Sequence, residues 1–195
     1  MGERPSMRHS STKAAVGAVR RGYQPIPILD RGKAPGITAW THLRWNPVDL
    51  QDVADRFDEW AEKGSSNVGL ALGEPSGGLV DIDLDHAKTT RLKDHFLPRT
   101  AMRSGRAGRP NSHYWYLVEG NLPGTRRYKM GDGSVSVELR STGAQTVIPP
   151  SIHPSGEDYR WEGRPWGGKE GPTRIDGRVL AVQVALLGLG PATSR

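Results

Sequence analysis

The sharpest alternation in the chain is Leu79-Val80-Asp81-Ile82-Asp83-Leu84-Asp85, where Ile82 and Leu84 fall between three aspartates. A period of two, with Leu, Val and Ile in the run, predicts a strand. Side chains alternate across a strand, so Asp81, Asp83 and Asp85 share one face, with neighbours roughly 7 Å apart. The same periodicities divide the rest of the chain. Residues 12–21 predict a short helix stopped by Gly22, and 23–29 an irregular strand whose prolines keep it at a sheet edge. Leu50, Val53, Ala54, Phe57, Trp60 and Ala61 recur at helical spacing. With Asn46 as cap, Pro47 at the first position and Gly64 as stop, they predict a helix over 47–63.

Residues 67–72 predict a strand that the turn 73–78 folds back onto the acidic strand as a hairpin. A short helix is expected over 87–96, a strand over 100–103, a basic loop over 104–111 and an aromatic strand over 113–118. Residues 134–140 alternate cleanly and are expected to pair with 144–148 across Ser141-Thr142-Gly143. A proline-stiffened loop over 149–156, a short strand around 159–161 and a helix over 179–189 complete the pattern. Many strands, joined by hairpins and with few helices, predict an α+β fold around a mainly antiparallel sheet.

Composition narrows the class. Hydrophobic content is 35%, with 25 glycines and 15 prolines, which predicts many turns. No apolar run reaches membrane-spanning length, and Met1-Gly2-Glu3-Arg4-Pro5 lacks the apolar core of a signal peptide. The absence of cysteine excludes disulfides and thiolate zinc sites. The expectation is a soluble, intracellular protein. Net charge is +6, unevenly spread: residues 1–44 hold eight Lys/Arg against two acids, 45–95 five against eleven, and 99–140 eight against three. An acidic strand between two basic segments suits a polyanion delivered to a metal site.

Three carboxylates on one strand face, with no cation between them, offer hard oxygen ligands suited to Mg²⁺ or Mn²⁺. The plainer alternative is an acidic, solvated edge strand. Glu138 and Arg140 also share a strand face. The carboxylate can complete a site begun by Asp83 and Asp85 while Arg140 grips a phosphate, or the two can form a surface ion pair. His113 opens the aromatic strand behind a basic, glycine-rich loop, as a phosphate contact or as a structural histidine.

Taken in order, Gly-Leu-Val-Asp-Ile-Asp-Leu-Asp, then Asn111-Ser112-His113, then Val137-Glu138-Leu139-Arg140, then Pro149-Pro150-Ser151-Ile152-His153-Pro154-Ser155-Gly156 resembles the bifunctional primase/polymerase family of the archaeo-eukaryotic primase superfamily. Lys33, Pro35, Trp40 and Asn67-Val68-Gly69 extend the resemblance toward the N-terminus. The resemblance implies a catalytic lobe with an RNA-recognition-motif-like sheet and a smaller N-terminal αβ lobe. The expected division is a flexible 1–11, a two-lobed module over 12–165, and a linker and helix over 166–195.

The resemblance further implies that Asp83, Asp85 and Glu138 hold two ions, Mg²⁺ or Mn²⁺, with Asp81 an additional candidate ligand. The register Asp81 with Asp83 stays open beside Asp83 with Asp85. His113 would contact nucleotide phosphate, joined by Arg140, Lys33, Arg106, Ser112 and Asn67. Arg103, Arg109, Arg126, Arg127 and Lys129 are candidates for the template backbone. The implied activity is primer synthesis or extension from nucleoside triphosphates on single-stranded DNA. Its setting would be the cytoplasm in a bacterial, plasmid or phage replication context, with a helicase domain or protein as partner and no membrane. A metal-dependent nuclease or phosphoesterase, and a nucleic-acid-binding module without turnover, remain alternatives on the same residues.

Overall fold

The computed structural model describes residues 7–189. In chain order the elements are α1 (Met7–Val19), β1 (Gln24–Ile28), α2 (Leu50–Glu62), β2 (Asn67–Ala71), β3 (Leu79–Leu84), α3 (Ala87–Phe96), β4 (Arg103–Arg106), β5 (Arg109–Glu119), β6 (Arg126–Lys129), β7 (Val135–Arg140), β8 (Gln145–Ile148), β9 (Arg160–Trp161), β10 (Thr173–Asp176) and α4 (Gly177–Leu189). A small sheet has the order β1-β2-β8, and a large one the order β6-β7-β3-β5-β4-β9, with β10 alongside β5. All pairings between strands are antiparallel except β10 with β5. The fold is therefore α+β and mainly antiparallel, as the patterning predicts. Pro25 and Pro27 sit in β1 at the edge of the small sheet, where missing N–H groups cost least.

The acidic strand is central, not an edge: β3 lies between β5 and β7, and all six of its residues are buried. Neither hairpin expected beside it forms. β2 pairs with β8 and β3 pairs with β7, so 67–84 and 135–148 run as one antiparallel ribbon bent between the two sheets. The bend lies where 72–78 and 141–144 pass each other. Leu72 N donates to Ala144 O at 3.0 Å, and Glu74 N to Thr142 Oγ1 at 3.1 Å. Gly73 has φ +74°, and a Cβ there would lie 2.2 Å from Thr142 Oγ1 and 2.3 Å from its backbone N. Only glycine allows the two connections to touch.

Other boundaries shift for local reasons. The basic loop expected over 104–111 is largely a hairpin of β4 and β5, turned at Ala107-Gly108. α2 starts at Leu50 because Asp49, rather than Asn46, caps it and accepts from Asp52 N at 3.0 Å. α1 begins at Met7, so the segment expected to be flexible over 1–11 is helical from there, while 1–6 lie outside the described residues, as do 190–195. β6 and β10 are additional strands; β10 brings residues beyond 166 into the large sheet.

Alternation sorts the large sheet into two faces. Val80, Ile82, Leu84, Tyr114, Tyr116, Val137 and Leu139 pack beneath it with Leu180, Val184 and Leu187 of α4 and the partly buried Leu92 and Phe96 of α3. On the other face, Leu79 and Trp115 join a core with α1, α2 and the small sheet. The rest of that face carries Asp81, Asp83, His113, Glu138 and Arg140. Among the described residues no helix is long and apolar enough to cross a membrane.

Gly73→Ala tests the bent ribbon. It forces both a left-handed backbone strain and a clash with backbone atoms of Thr142, and is expected to destabilise the fold by more than about 3 kcal/mol in chemical denaturation. An unchanged denaturation midpoint would show that the two connections separate at no cost.

Candidate active site

Strand register builds the site as a row across the sheet. Ser104, His113, Asp83, Glu138 and Arg127 stand opposite one another on β4, β5, β3, β7 and β6. Directly opposite residues bring their Cβ atoms to about 5 Å, so one carboxylate on β3 meets another on β7 and an imidazole on β5. The next row places Trp115, Asp81 and Arg140 side by side. Asp85 follows the end of β3, and its N donates to Ser136 O at 3.2 Å.

Asp83, Asp85 and Glu138 each turn one oxygen to a common point, with these atoms within 4.8 Å of one another. Of the two registers left open, the structure gathers Asp83 with Asp85. Asp81 is not in this group: it is fully buried and faces His113, Thr146 and Arg140. Three hard carboxylate oxygens converging at this range fit a divalent cation such as Mg²⁺ or Mn²⁺.

Arginines hold these carboxylates against their mutual repulsion. Arg140 Nη2 lies 2.6 Å from Asp83 Oδ2, its Nε donates to Glu138 Oε2 at 2.9 Å, and its Nη1 lies 3.8 Å from Asp81 Oδ2. Arg127 Nε donates to Glu138 Oε1 at 2.7 Å. Arg109 donates to Asp85 Oδ1 and to Asp85 O, each at 2.7 Å. The side chains of Arg109 and Arg127 are 45% and 66% exposed, against 22% for Arg140, so Arg140 is the most enclosed of the three. Burial opposes charge on Arg140, but Asp83, Asp81 and Glu138 outweigh it and raise its pKa above the ordinary arginine value. Burial likewise opposes protonation of His113, and Asp81 and Asp83 outweigh it, leaving the pKa above the usual histidine value.

These groups wall a cavity of about 420 Å³ that also includes Lys33, Arg106, Ser112 and Tyr159. Burial pushes the Tyr159 hydroxyl up to about 12, so it stays neutral. Five cations, Lys33, Arg106, Arg109, Arg127 and Arg140, face three carboxylates, Asp83, Asp85 and Glu138. Such a balance attracts a polyphosphate to an acidic metal centre. Arg106 is tied to Glu157 across the rim.

Other expected contacts lie elsewhere. Asn67 is buried, with Nδ2 donating to Ile152 O and Oδ1 accepting from Ile152 N, both at 2.8 Å, so its amide pins the 149–156 loop to β2. Arg103 and Arg126 pair in register with Tyr114 and Leu139, on the helix-covered face of the sheet, and line other cavities. Lys129 is exposed at the end of β6, outside this cavity. Sequence patterning does not single out Thr146, yet it donates to Asp81 Oδ2 at 2.8 Å across 65 residues of chain. Nothing in its local pattern marks it.

Comparison with known proteins gives two matches. The chain is 29% identical over 150 residues to a protein named tRNA(Ile)-lysidine synthase from Thermobifida fusca (strain YX). That stretch covers 70% of this chain and 44% of that protein, so the chain matches less than half of the relative's length. Residues 15–176, which include the three carboxylates, His113 and Arg140, match the family described as bifunctional DNA primase/polymerase, N-terminal, and the chain belongs to that family.

Proposed function

We propose that this domain carries out template-directed nucleotidyl transfer, making or extending primers on single-stranded DNA from nucleoside triphosphates. The observation that carries the reading is the convergence of Asp83, Asp85 and Glu138 beneath an excess of arginine and lysine, in a chain of the primase/polymerase family. Two divalent cations held by these carboxylates would supply a lowered pKa at the attacking hydroxyl and charge neutralisation at the departing pyrophosphate.

The protein's own side chains do the rest. Arg140, partly buried and bonded to both Asp83 and Glu138, fixes the spacing of two ligands on adjacent strands. Arg109 and Arg127 are exposed and bonded to the outer carboxylates, so each can exchange its carboxylate for a phosphate. Lys33 and Arg106 extend the positive wall along which a triphosphate lies. His113 turns Nδ1 to Asp81, and its Nε2, with no hydrogen bond among the described residues, can meet a phosphate oxygen. Arg103 and Arg126, on the opposite face, do not share this cavity and drop out of the template path nearest the carboxylates. A helicase domain or protein is the partner this activity calls for.

The decisive assay is labelled nucleotide incorporation on circular single-stranded DNA with Mg²⁺ or Mn²⁺, with tRNA as a second arm because of the relative's name. Incorporation with pyrophosphate release on DNA supports the reading; shortening of the DNA supports a nuclease, and turnover confined to the tRNA arm overturns the DNA assignment. Asp83→Asn and Glu138→Gln should each lower incorporation on the order of 10²–10³-fold with the fold retained, the scale of losing one electrostatically stabilising group from an active site. Unaltered incorporation in either variant removes that residue from the reaction. The double variant Arg109→Ala with Arg127→Ala should flatten the dependence of log affinity for single-stranded DNA on log salt by about 1.4, roughly 0.7 for each phosphate no longer neutralised. A slope equal to wild type takes both arginines off the binding surface.

A further inference from the structure

We propose that Asp81 is a positioning residue for His113: it orients the imidazole so that Nε2 faces the nucleotide cavity, and Thr146 holds Asp81 in place. This rests on the reading of the cavity as a nucleoside triphosphate site.

Asp81 is the acid of the central strand that the convergent carboxylate group leaves out. It is fully buried, in the middle of a sheet, where a carboxylate is costly unless partnered. Its partners all meet one oxygen. His113 Nδ1 lies 2.9 Å from Oδ2, Thr146 Oγ1 donates to Oδ2 at 2.8 Å, and Arg140 Nη1 stands 3.8 Å away. Oδ1 is buried with no hydrogen-bond partner among the described residues. A side chain retained for stability alone would satisfy both oxygens or be apolar, like Val80 and Ile82 beside it.

The consequence falls on His113. An imidazole has two usable nitrogens, and which one faces a ligand is set by the bond the other makes. With Nδ1 on Asp81 and the Trp115 ring centroid 6.4 Å from that of His113, the ring is held on two sides, and it lines the cavity of the carboxylates. Asp83 Oδ1 is 3.8 Å from the same Nδ1, beyond hydrogen-bond range, and so does not substitute for Asp81. Thr146 comes from β8 of the small sheet and Asp81 from β3 of the large one, so the anchor is assembled only when the ribbon bends between them.

The test is steady-state kinetics of nucleotide incorporation by the full chain, with thermal melting and proton NMR as controls. His113→Ala and Asp81→Ala should each raise KM for the nucleoside triphosphate about ten- to hundredfold, with a smaller change in kcat. The double variant should be no worse than His113→Ala alone, since Asp81 acts through the ring. Asp81→Asn keeps an acceptor oxygen at the same point and should recover most of the loss. In wild type the His113 Nδ1 proton should be a slowly exchanging downfield resonance that Asp81→Ala abolishes. Additive losses, or a normal KM in folded Asp81→Ala, overturn the positioning role. So does absence of that resonance in wild type, a measurement that stands even if Asp81→Ala does not fold. A wild-type chain that incorporates no nucleotide overturns the reading of the cavity, and the positioning role with it.

Discussion

Everything at the centre of this structure depends on one partly buried guanidinium. Arg140 bridges Asp83 and Glu138 on neighbouring strands and stands against Asp81 in the row below. Three carboxylates this close on one sheet face repel strongly in a low-dielectric setting and call for a cation among them. A planar, always charged fork is suited to hold them, because it satisfies two carboxylates at fixed spacing and cannot lose its proton. Removing the guanidinium would leave Asp83 and Glu138 as uncompensated buried charges, which is far costlier than losing a surface ion pair. Arg109 and Arg127 share in the neutralisation from the exposed side, so they can leave without unmaking the sheet.

The bent ribbon explains why those residues meet. Asp81 and Asp83 leave the bend on β3 just as Arg140 and Glu138 approach it on β7. Beyond the bend, the same ribbon supplies Thr146 from the small sheet. The close approach of Gly73 to Thr142 thus joins fold and chemistry: it lets the two connections pass in contact between the sheets, and the pairing resumes in the large sheet with the polar cluster on one face. The other side of the large sheet is spent on a conventional apolar core against α3 and α4.

Much of this is legible in the sequence. Period-two alternation identifies β3 and β7 and assigns Asp83, Glu138 and Arg140 to their faces, because side-chain direction in a strand is a local property. The order of motifs identifies the family. Pairing is different. Adjacent strands with a glycine-rich turn between them read as hairpins by default, and nothing local shows that 73–78 and 141–144 cross rather than turn back. Misreading them makes β3 an edge candidate and conceals the pairing of β3 with β7. The alternation of β4, read mostly as a loop, and of β6, too short to register as a strand, would have placed Arg103 and Arg126 on the far face and Arg127 on the near one. Thr146 and the burial of Asp81 follow from pairings across long stretches of chain, so no window of sequence contains them.

The central claim is that Asp83, Asp85 and Glu138 form a divalent-cation centre serving a nucleoside triphosphate. Diffraction from crystals grown with Mn²⁺ and a non-hydrolysable nucleoside triphosphate tests it most directly, through the anomalous signal of the metal. The account predicts anomalous density among the three carboxylates, with Arg109 or Arg127 released from its carboxylate and the triphosphate along Lys33 and Arg106. Manganese bound elsewhere with the three carboxylates still closed on their arginines, or a nucleotide seated outside this cavity, would contradict it.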